Sequence, residues 1–226
     1  MSTFIVQGGK PLKGEIIPQG AKNEALQIIC ATLLTPEKVT IKNLPDIADV
    51  SRIIELLISL GVTVKRESRS VISFEASNIN LDYLQTKEFR DQSISMRGSI
   101  MVVGPLLARF GKAFIPQPGG DKIGRRRIDT HFIGFRKLGA NFEYDSTGSF
   151  YKLEASTLNG TYIHLDEASV TGTANIVMAA VLAKGSSTIY NAACEPYIQQ
   201  LCKMLVSMGA KIDRKSTRLN SSHVSQ

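Results

Sequence analysis

One pattern occurs three times along the 226 residues and constrains the fold more tightly than any local propensity. An apolar helix (23–34, 94–109, 169–183) is followed by a short strand (39–42, 113–116, 187–190). A second helix then runs to a Leu-Gly or Met-Gly step at Gly61, Gly139 and Gly209, and another strand starts at once (62–66, 140–144, 210–212). Glycine suits the C′ position, where a left-handed residue ends a helix. Self-similarity with a period of about 70–78 residues is an internal repeat. The first helix of the third copy reads Ala-Asn-Ile-Val-Met-Ala-Ala-Val-Leu-Ala, apolar nearly all round, which predicts burial. Its second helix places Ile198, Leu201, Cys202 and Leu205 on one stripe, as Val50, Ile53, Ile54 and Leu57 are placed in the first copy. Buried helices wrapped by strands and amphipathic helices predict a pseudo-threefold α/β domain over 22–212. Residues 4–7 and 14–17 read as two further short strands around a Gly-Gly-Lys-Pro turn.

Composition narrows the function. Hydrophobic residues make up 43% and charged residues 21%, as in a globular protein with a substantial core. No apolar run reaches the roughly 18 residues of a membrane span. The opening residues carry no basic-then-apolar signal, so a cytoplasmic protein is expected. Cys30, Cys194 and Cys202 are scattered without metal-ligand spacing, and read as reduced core thiols. With three histidines and no HxxxH or CxxC pattern, neither a zinc site nor another cofactor is called for. A net charge of +7 favours anionic partners. Basic residues are not interleaved with aromatics, which argues against nucleic acid as the partner.

The anion is expected at one place. Asn43 to Gly61 and Asn191 to Gly209 are each 18 residues apart, but Gln117 to Gly139 is 22. The extra residues fall in the loop 116–131, which holds three glycines, the run Arg125-Arg126-Arg127 and two aspartates. Elaboration of one loop on a repeated scaffold marks binding or catalysis. A solvated basic turn is the plain alternative. The buried helices start at Gly-Ala-Lys22-Asn23, Ser-Met-Arg97-Gly and Ser169-Val170-Thr171-Gly-Thr173. Helix N-termini favour negative charge, so Lys22 and Arg97 oppose the local field unless they snorkel to solvent. Together with the arginine run they point to helix starts and cations converging on a shared anion, with hydroxyl donors from Ser169, Thr171 and Thr173.

These stretches carry a family resemblance. Gly-Ala-Lys-Asn (20–23), Ser-Met-Arg (95–97), Pro-Gly-Gly-x-x-Ile-Gly-x-Arg-x-x-Asp-x-His (118–131), Ser-Val (169–170) and Asn-Ala-Ala-x-Glu-Pro (191–196) resemble, in order, the UDP-N-acetylglucosamine 1-carboxyvinyltransferases. The resemblance covers roughly the first half of a family protein. It implies an inverted α/β barrel with two domains of three βαβαββ units each, with residues 1–21 contributing strands to the second domain. The shikimate-pathway enolpyruvyl transferases share that fold, but their first helix usually opens Gly-Ser-Lys-Ser. The implied reaction joins the sugar 3′-hydroxyl of UDP-N-acetylglucosamine to phosphoenolpyruvate in peptidoglycan synthesis. By the resemblance, Lys22 and Asn23 contact phosphoenolpyruvate and Arg126 its phosphate or carboxylate. Arg97, the stretch Arg126, Arg127, Ile128, Asp129 and Thr130, and Ser169 with Val170 line the nucleotide-sugar site. Glu195 matches an acidic position near the cleft. Arg125 and Arg127 stand where the family commonly has Ala and Pro, and their side chains are given no role beyond the local field.

Asp121 is the departure. Many relatives have cysteine there, the residue that fosfomycin alkylates, and those with aspartate are expected to be insensitive. An acid suffices if the step is proton donation rather than nucleophilic attack. A plain turn residue is the alternative. The resemblance also places a further aspartate and arginine of the site in the second domain, so this chain alone is expected to be inactive. Residues 213–226 lose all apolar periodicity, and 213–223 resemble one reading frame of a common sequencing-library adapter. They are expected to be a non-native tail, with a disordered polar tail as the alternative. Two other functions stay open: the shikimate-pathway transferase, and a non-catalytic paralogue that binds nucleotide sugars or polyanions.

Overall fold

The glycine steps organise the chain as the repeat requires. The computed structural model describes residues 3–116, 128–146 and 150–213. In the first copy, α1 (Lys22–Ala31) continues through a 3-10 turn (Thr32–Leu34) to β1 (Val39–Ile41) and α2 (Ala48–Ser59). Gly61 then takes φ 99°. Its amide donates to the Ile58 carbonyl and the Val62 amide to that of Leu57, the paired bonds of a Schellman turn. A hairpin follows, β2 (Thr63–Ser68) and β3 (Val71–Glu75). β3 lies between β1 and β2, antiparallel to both, with Ile72 opposite Ile41 and Phe74 opposite Val39.

The second copy repeats this topology. β4 (Lys112–Pro116), α5 (Asp129–Lys137), β5 (Asn141–Asp145) and β6 (Phe150–Glu154) form a sheet in the order β4-β6-β5. The third copy has β7 (Tyr162–His164), α6 (Val170–Ala180), β8 (Thr188–Tyr190) and α7 (Pro196–Ser207). Here β7 and β8 pair in parallel around the α6 crossover, with Ile163 against Ile189. Gly139 (φ 101°) and Gly209 (φ 105°) end α5 and α7 with the same two bonds as Gly61.

The predicted helix over 94–109 is instead broken. α3 (Lys87–Ser95) ends at an extended Met96, a 3-10 segment runs Arg97–Val102, and α4 covers Val103–Phe110. Pro105 has no amide to donate back to Met101, so regular α geometry restarts with the proline in its first turn. Predicted strands at 4–7, 14–17 and 210–212 are not formed. A strand exists only with a hydrogen-bonded neighbour, and among the described residues none lies beside these segments. Residues 3–19 are exposed, with Phe4, Leu12 and Ile16 nearly bare. The polar tail from 214 onward lies outside the described residues.

The core gathers where the buried helices meet. Ile29 and Leu33, Ile53, Leu57 and Leu60, Leu106 and Leu107, and Ile176 with Met178 are buried in one cluster. Glycine sets the closest approaches. A Cβ at Gly104 of α4 would overlap the Asn175 carbonyl of α6, and one at Gly134 of α5 would overlap the Ile176 side chain. Arg109, at the end of α4, donates to the Leu33 carbonyl at 3.1 Å and to that of Ala76 at 2.7 Å, tying α4 to the first copy.

Candidate functional site

Each expected site residue has a definite place except those in the loop. Asp121, Arg125, Arg126 and Arg127 lie outside the described residues. Lys22 and Asn23 open α1, both exposed. Gly20 presses its backbone against the Asn43 carbonyl, where a Cβ would not fit, so the start of α1 sits at the end of β1. Asn43 itself is left-handed at φ 60°, as is Asn191 (φ 57°) at the corresponding point of the third copy. The Lys22 ammonium pairs with the Asp49 carboxylate in the first turn of α2. Arg52 also approaches that carboxylate, at 3.8 Å. The lysine charge that opposes the α1 dipole is thus matched by an acid the sequence reading did not single out.

A second group forms where α5, α6 and the 3-10 segment meet. Ile128 and Asp129 open α5. Thr130 is buried and its hydroxyl faces Asp166 Oδ1 and Glu167 Oε1, each at 3.3 Å. Ser169 caps α6, accepting from the Gly172 amide at 3.2 Å. Val170 follows at the first helical position, half-buried. Gly172 leaves room for Thr130 Cγ2, so the two helix starts touch.

His131 stands at the centre of this group. Its ring is buried, with Nε2 3.3 Å from Thr171 Oγ1 and Nδ1 3.1 Å from Asn175 Nδ2. Burial, and secondarily the nearby charge of Arg97, push its pKa down to about 4, so the ring is neutral at pH 7. Arg97 at the start of the 3-10 segment is therefore within electrostatic reach of α5. Glu195 caps the start of α7 by position, and its Oε2 is buried with no hydrogen-bond partner among the described residues.

The structure brings Arg97, Ile128 to Thr130, Ser169 and Val170 to one end of the helix cluster, and sets Lys22 with Asp49 at the α1–α2 start. Sequence reasoning missed Asp49, Asn175 and the Asp166–Glu167 pair, and gave His131 no role. Position 131 closes the Asp-x-His end of the family motif, which was the available signal. The others carry none, since their partners are distant in sequence. A cavity of about 500 Å³ at the far end of α4, lined by Arg109, Lys112, Glu154 and Thr157, contains none of the expected site residues.

Repeated α/β units around buried helices, with the starts of α5 and α6 in contact, are the fold of the enolpyruvyl transferases. The chain belongs to the EPSP synthase (3-phosphoshikimate 1-carboxyvinyltransferase) family, whose model matches residues 6–223. Among its relatives are UDP-N-acetylglucosamine 1-carboxyvinyltransferases. That of Bacteroides thetaiotaomicron is 60% identical over 219 residues, covering 97% of this chain and 50% of that protein. That of Porphyromonas gingivalis is 59% identical with the same coverage. That of Treponema denticola is 45% identical over 94% of this chain and 48% of its own length. The chain thus spans about half the length of the curated relatives it matches. Among solved structures, the enolpyruvyl transferase NikO from Streptomyces tendae superposes with a TM-score of 0.72 at 18% identity, over 93% of this chain and 48% of that one. EPSP synthase from Acinetobacter baumannii gives 0.66 at 14% identity, over 92% and 46%. Both likenesses concern the fold.

Proposed function

We propose that this chain supplies the N-terminal half of an enzyme that transfers the enolpyruvyl group of phosphoenolpyruvate to the 3′-hydroxyl of UDP-N-acetylglucosamine, in cytoplasmic peptidoglycan synthesis. The observation that carries the reading is 60% identity, across 97% of the chain, to a relative of that name. The hydroxyl oxygen gives up its proton to a base and adds to C2 of phosphoenolpyruvate while C3 takes a proton from an acid, giving a tetrahedral ketal. C3 then loses a proton as the C2–O bond to phosphate breaks, releasing phosphate. Asp121 is the proton donor near C3.

Lys22, Asn23 and Arg126 hold phosphoenolpyruvate and stabilise charge on the phosphate and carboxylate. Lys22 exchanges Asp49 for the substrate. Arg97, Arg126 to Thr130, Ser169, Val170 and Glu195 line the nucleotide-sugar side. Residues 1–21 pair with the other half of the enzyme, which completes the site. Residues 213–226 have no part in it.

The test is phosphate release from phosphoenolpyruvate by the full-length enzyme. Release is expected with UDP-N-acetylglucosamine and not with shikimate 3-phosphate. The reverse preference sinks the reading in favour of the shikimate-pathway reaction. Asp121→Asn is expected to lower kcat by ~100-fold or more, the scale of a lost general acid. Asp121→Cys should retain turnover and acquire time-dependent fosfomycin inactivation that the native enzyme lacks.

A further inference from the structure

Asn175 lies in the middle of α6, fully buried in a helix otherwise made of Thr, Gly, Ala, Ile, Val and Met. Its amide is inserted into the junction between the 3-10 segment and α4. Oδ1 accepts from the Gly104 amide at 2.8 Å, and Nδ2 donates to the Ile100 carbonyl at 2.7 Å. Ile100 and Gly104 are an i, i+4 pair, so the side chain occupies the place of one backbone helical bond. This also fixes the amide's orientation. A backbone N–H can only donate and a backbone carbonyl can only accept, so the oxygen must face Gly104 and the nitrogen Ile100.

The orientation has a consequence for His131. The second Nδ2 hydrogen points to His131 Nδ1, 3.1 Å away. That ring nitrogen must therefore be the bare acceptor, and the ring proton sits on Nε2. From there it points to Thr171 Oγ1 at 3.3 Å, whose own hydroxyl hydrogen is left to donate away from the ring. An imidazolium would set an N–H against the amide N–H. Of the elements around the ring, α6 presents the neutral Thr171 and Asn175, and the 3-10 segment brings the charge of Arg97. The acids Asp166 and Glu167 face the neighbouring Thr130.

We infer that Asn175 is a positioning residue that holds His131 as a neutral imidazole protonated on Nε2, so that the α5–α6 end of the site presents hydrogen-bond donors rather than a base. Naming what those donors face rests on the enolpyruvyl-transfer reading; the tautomer does not. An oxygen-rich anion such as a nucleoside diphosphate is the chemistry a run of donors at a helix start accepts.

The experiment is a two-bond 1H–15N correlation spectrum of the 15N-histidine-labelled chain, with His131 assigned by the signal lost in His131→Gln. The native ring should show a bare Nδ1 and a protonated Nε2, unchanged from pH 8 to pH 5.5. In Asn175→Asp the carboxylate can only accept, so the proton should move to Nδ1 and the titration should rise above the ordinary histidine value. Asn175→Leu, which keeps the volume, should leave the tautomer unconstrained and give a mixture. A native ring protonated on Nδ1, or charged at pH 7.5, overturns the inference. So does a folded Asn175→Asp that keeps the Nε2 proton. A native chain with the expected tautomer, in a full-length enzyme that does not bind UDP-N-acetylglucosamine, sinks the functional reading and leaves the role of Asn175 standing.

Discussion

At the scale of single residues, burial decides which groups are chemically active. His131 titrates at about 4 in the folded chain, against 6.5 for the free side chain. Its folded pKa is depressed, so the unfolded chain binds the extra proton first as pH falls. Stability is therefore lost between about pH 6.5 and pH 4, by roughly 3 kcal/mol for a shift of this size. Urea unfolding at pH 7.5 and pH 5 should show part of that loss in the native chain. The same pH difference should be smaller in His131→Gln, which has no proton to take up. Cys30 is a second case: burial pushes its thiol well up, and it has no route to solvent. Cys194 is exposed. Iodoacetamide at pH 8 should label Cys194 in the native chain and reach Cys30 only after unfolding, as read by peptide mass spectrometry. Neither contrast is visible in the sequence, where the three cysteines look alike.

At the scale of elements, the sequence was most legible where a backbone requirement singles out one residue type. Gly61, Gly139 and Gly209 were expected to end helices, and each does so in a left-handed conformation with the same pair of hydrogen bonds. The apolar stripes of α2 and α7 likewise face the core as expected. The broken helix before α4 was misread because Met96 and Pro105 sit inside an apolar run, and apolar periodicity outweighed the proline. Asn175 was passed over for a similar reason. Mid-helix asparagine looks like a blemish until its partners arrive from the other side of the fold. The close α4–α6 contact it depends on should not tolerate a side chain at Gly104. Gly104→Ala would push a methyl group to within 2.7 Å of Asn175 Oδ1 and closer still to the carbonyl. Overpacking of that kind costs ~1–3 kcal/mol, so the urea midpoint should fall while far-UV circular dichroism stays native. An unchanged midpoint would mean the helices are free to part.

For the whole molecule, the described residues divide into a packed body and an exposed leading segment. Residues 22–212 bury the core, whereas Phe4, Ile5, Val6, Leu12, Ile16 and Ile17 all stand in solvent. Among the described residues no helix is long and apolar enough to cross a membrane. Deleting residues 2–18 should therefore leave the thermal midpoint of this chain within about 1 °C, because segments without buried contacts contribute little to global stability. It should also reduce binding of a dye that reports exposed apolar surface. A fall of several degrees would mean that the segment packs on the body. Strand formation by these residues depends on a neighbour, and alternation of side chains says nothing about where that neighbour is. The site was legible as a set of positions. Its wiring, from Lys22 to Asp49 and from Asn175 through His131 to Thr171, was not, since each link joins residues 27 to 44 positions apart.

The three glycine turns have one more consequence. A helix that ends in a Schellman turn delivers the next strand at a fixed angle, whatever side chains it carries. The joints are alike in all three copies although the helices they end share hardly any residues. They also divide the chain into exchangeable cassettes. A chimaera joined at the glycines, with the α7 sequence in place of α2, would keep the path of the main chain and would have to relearn only its packing.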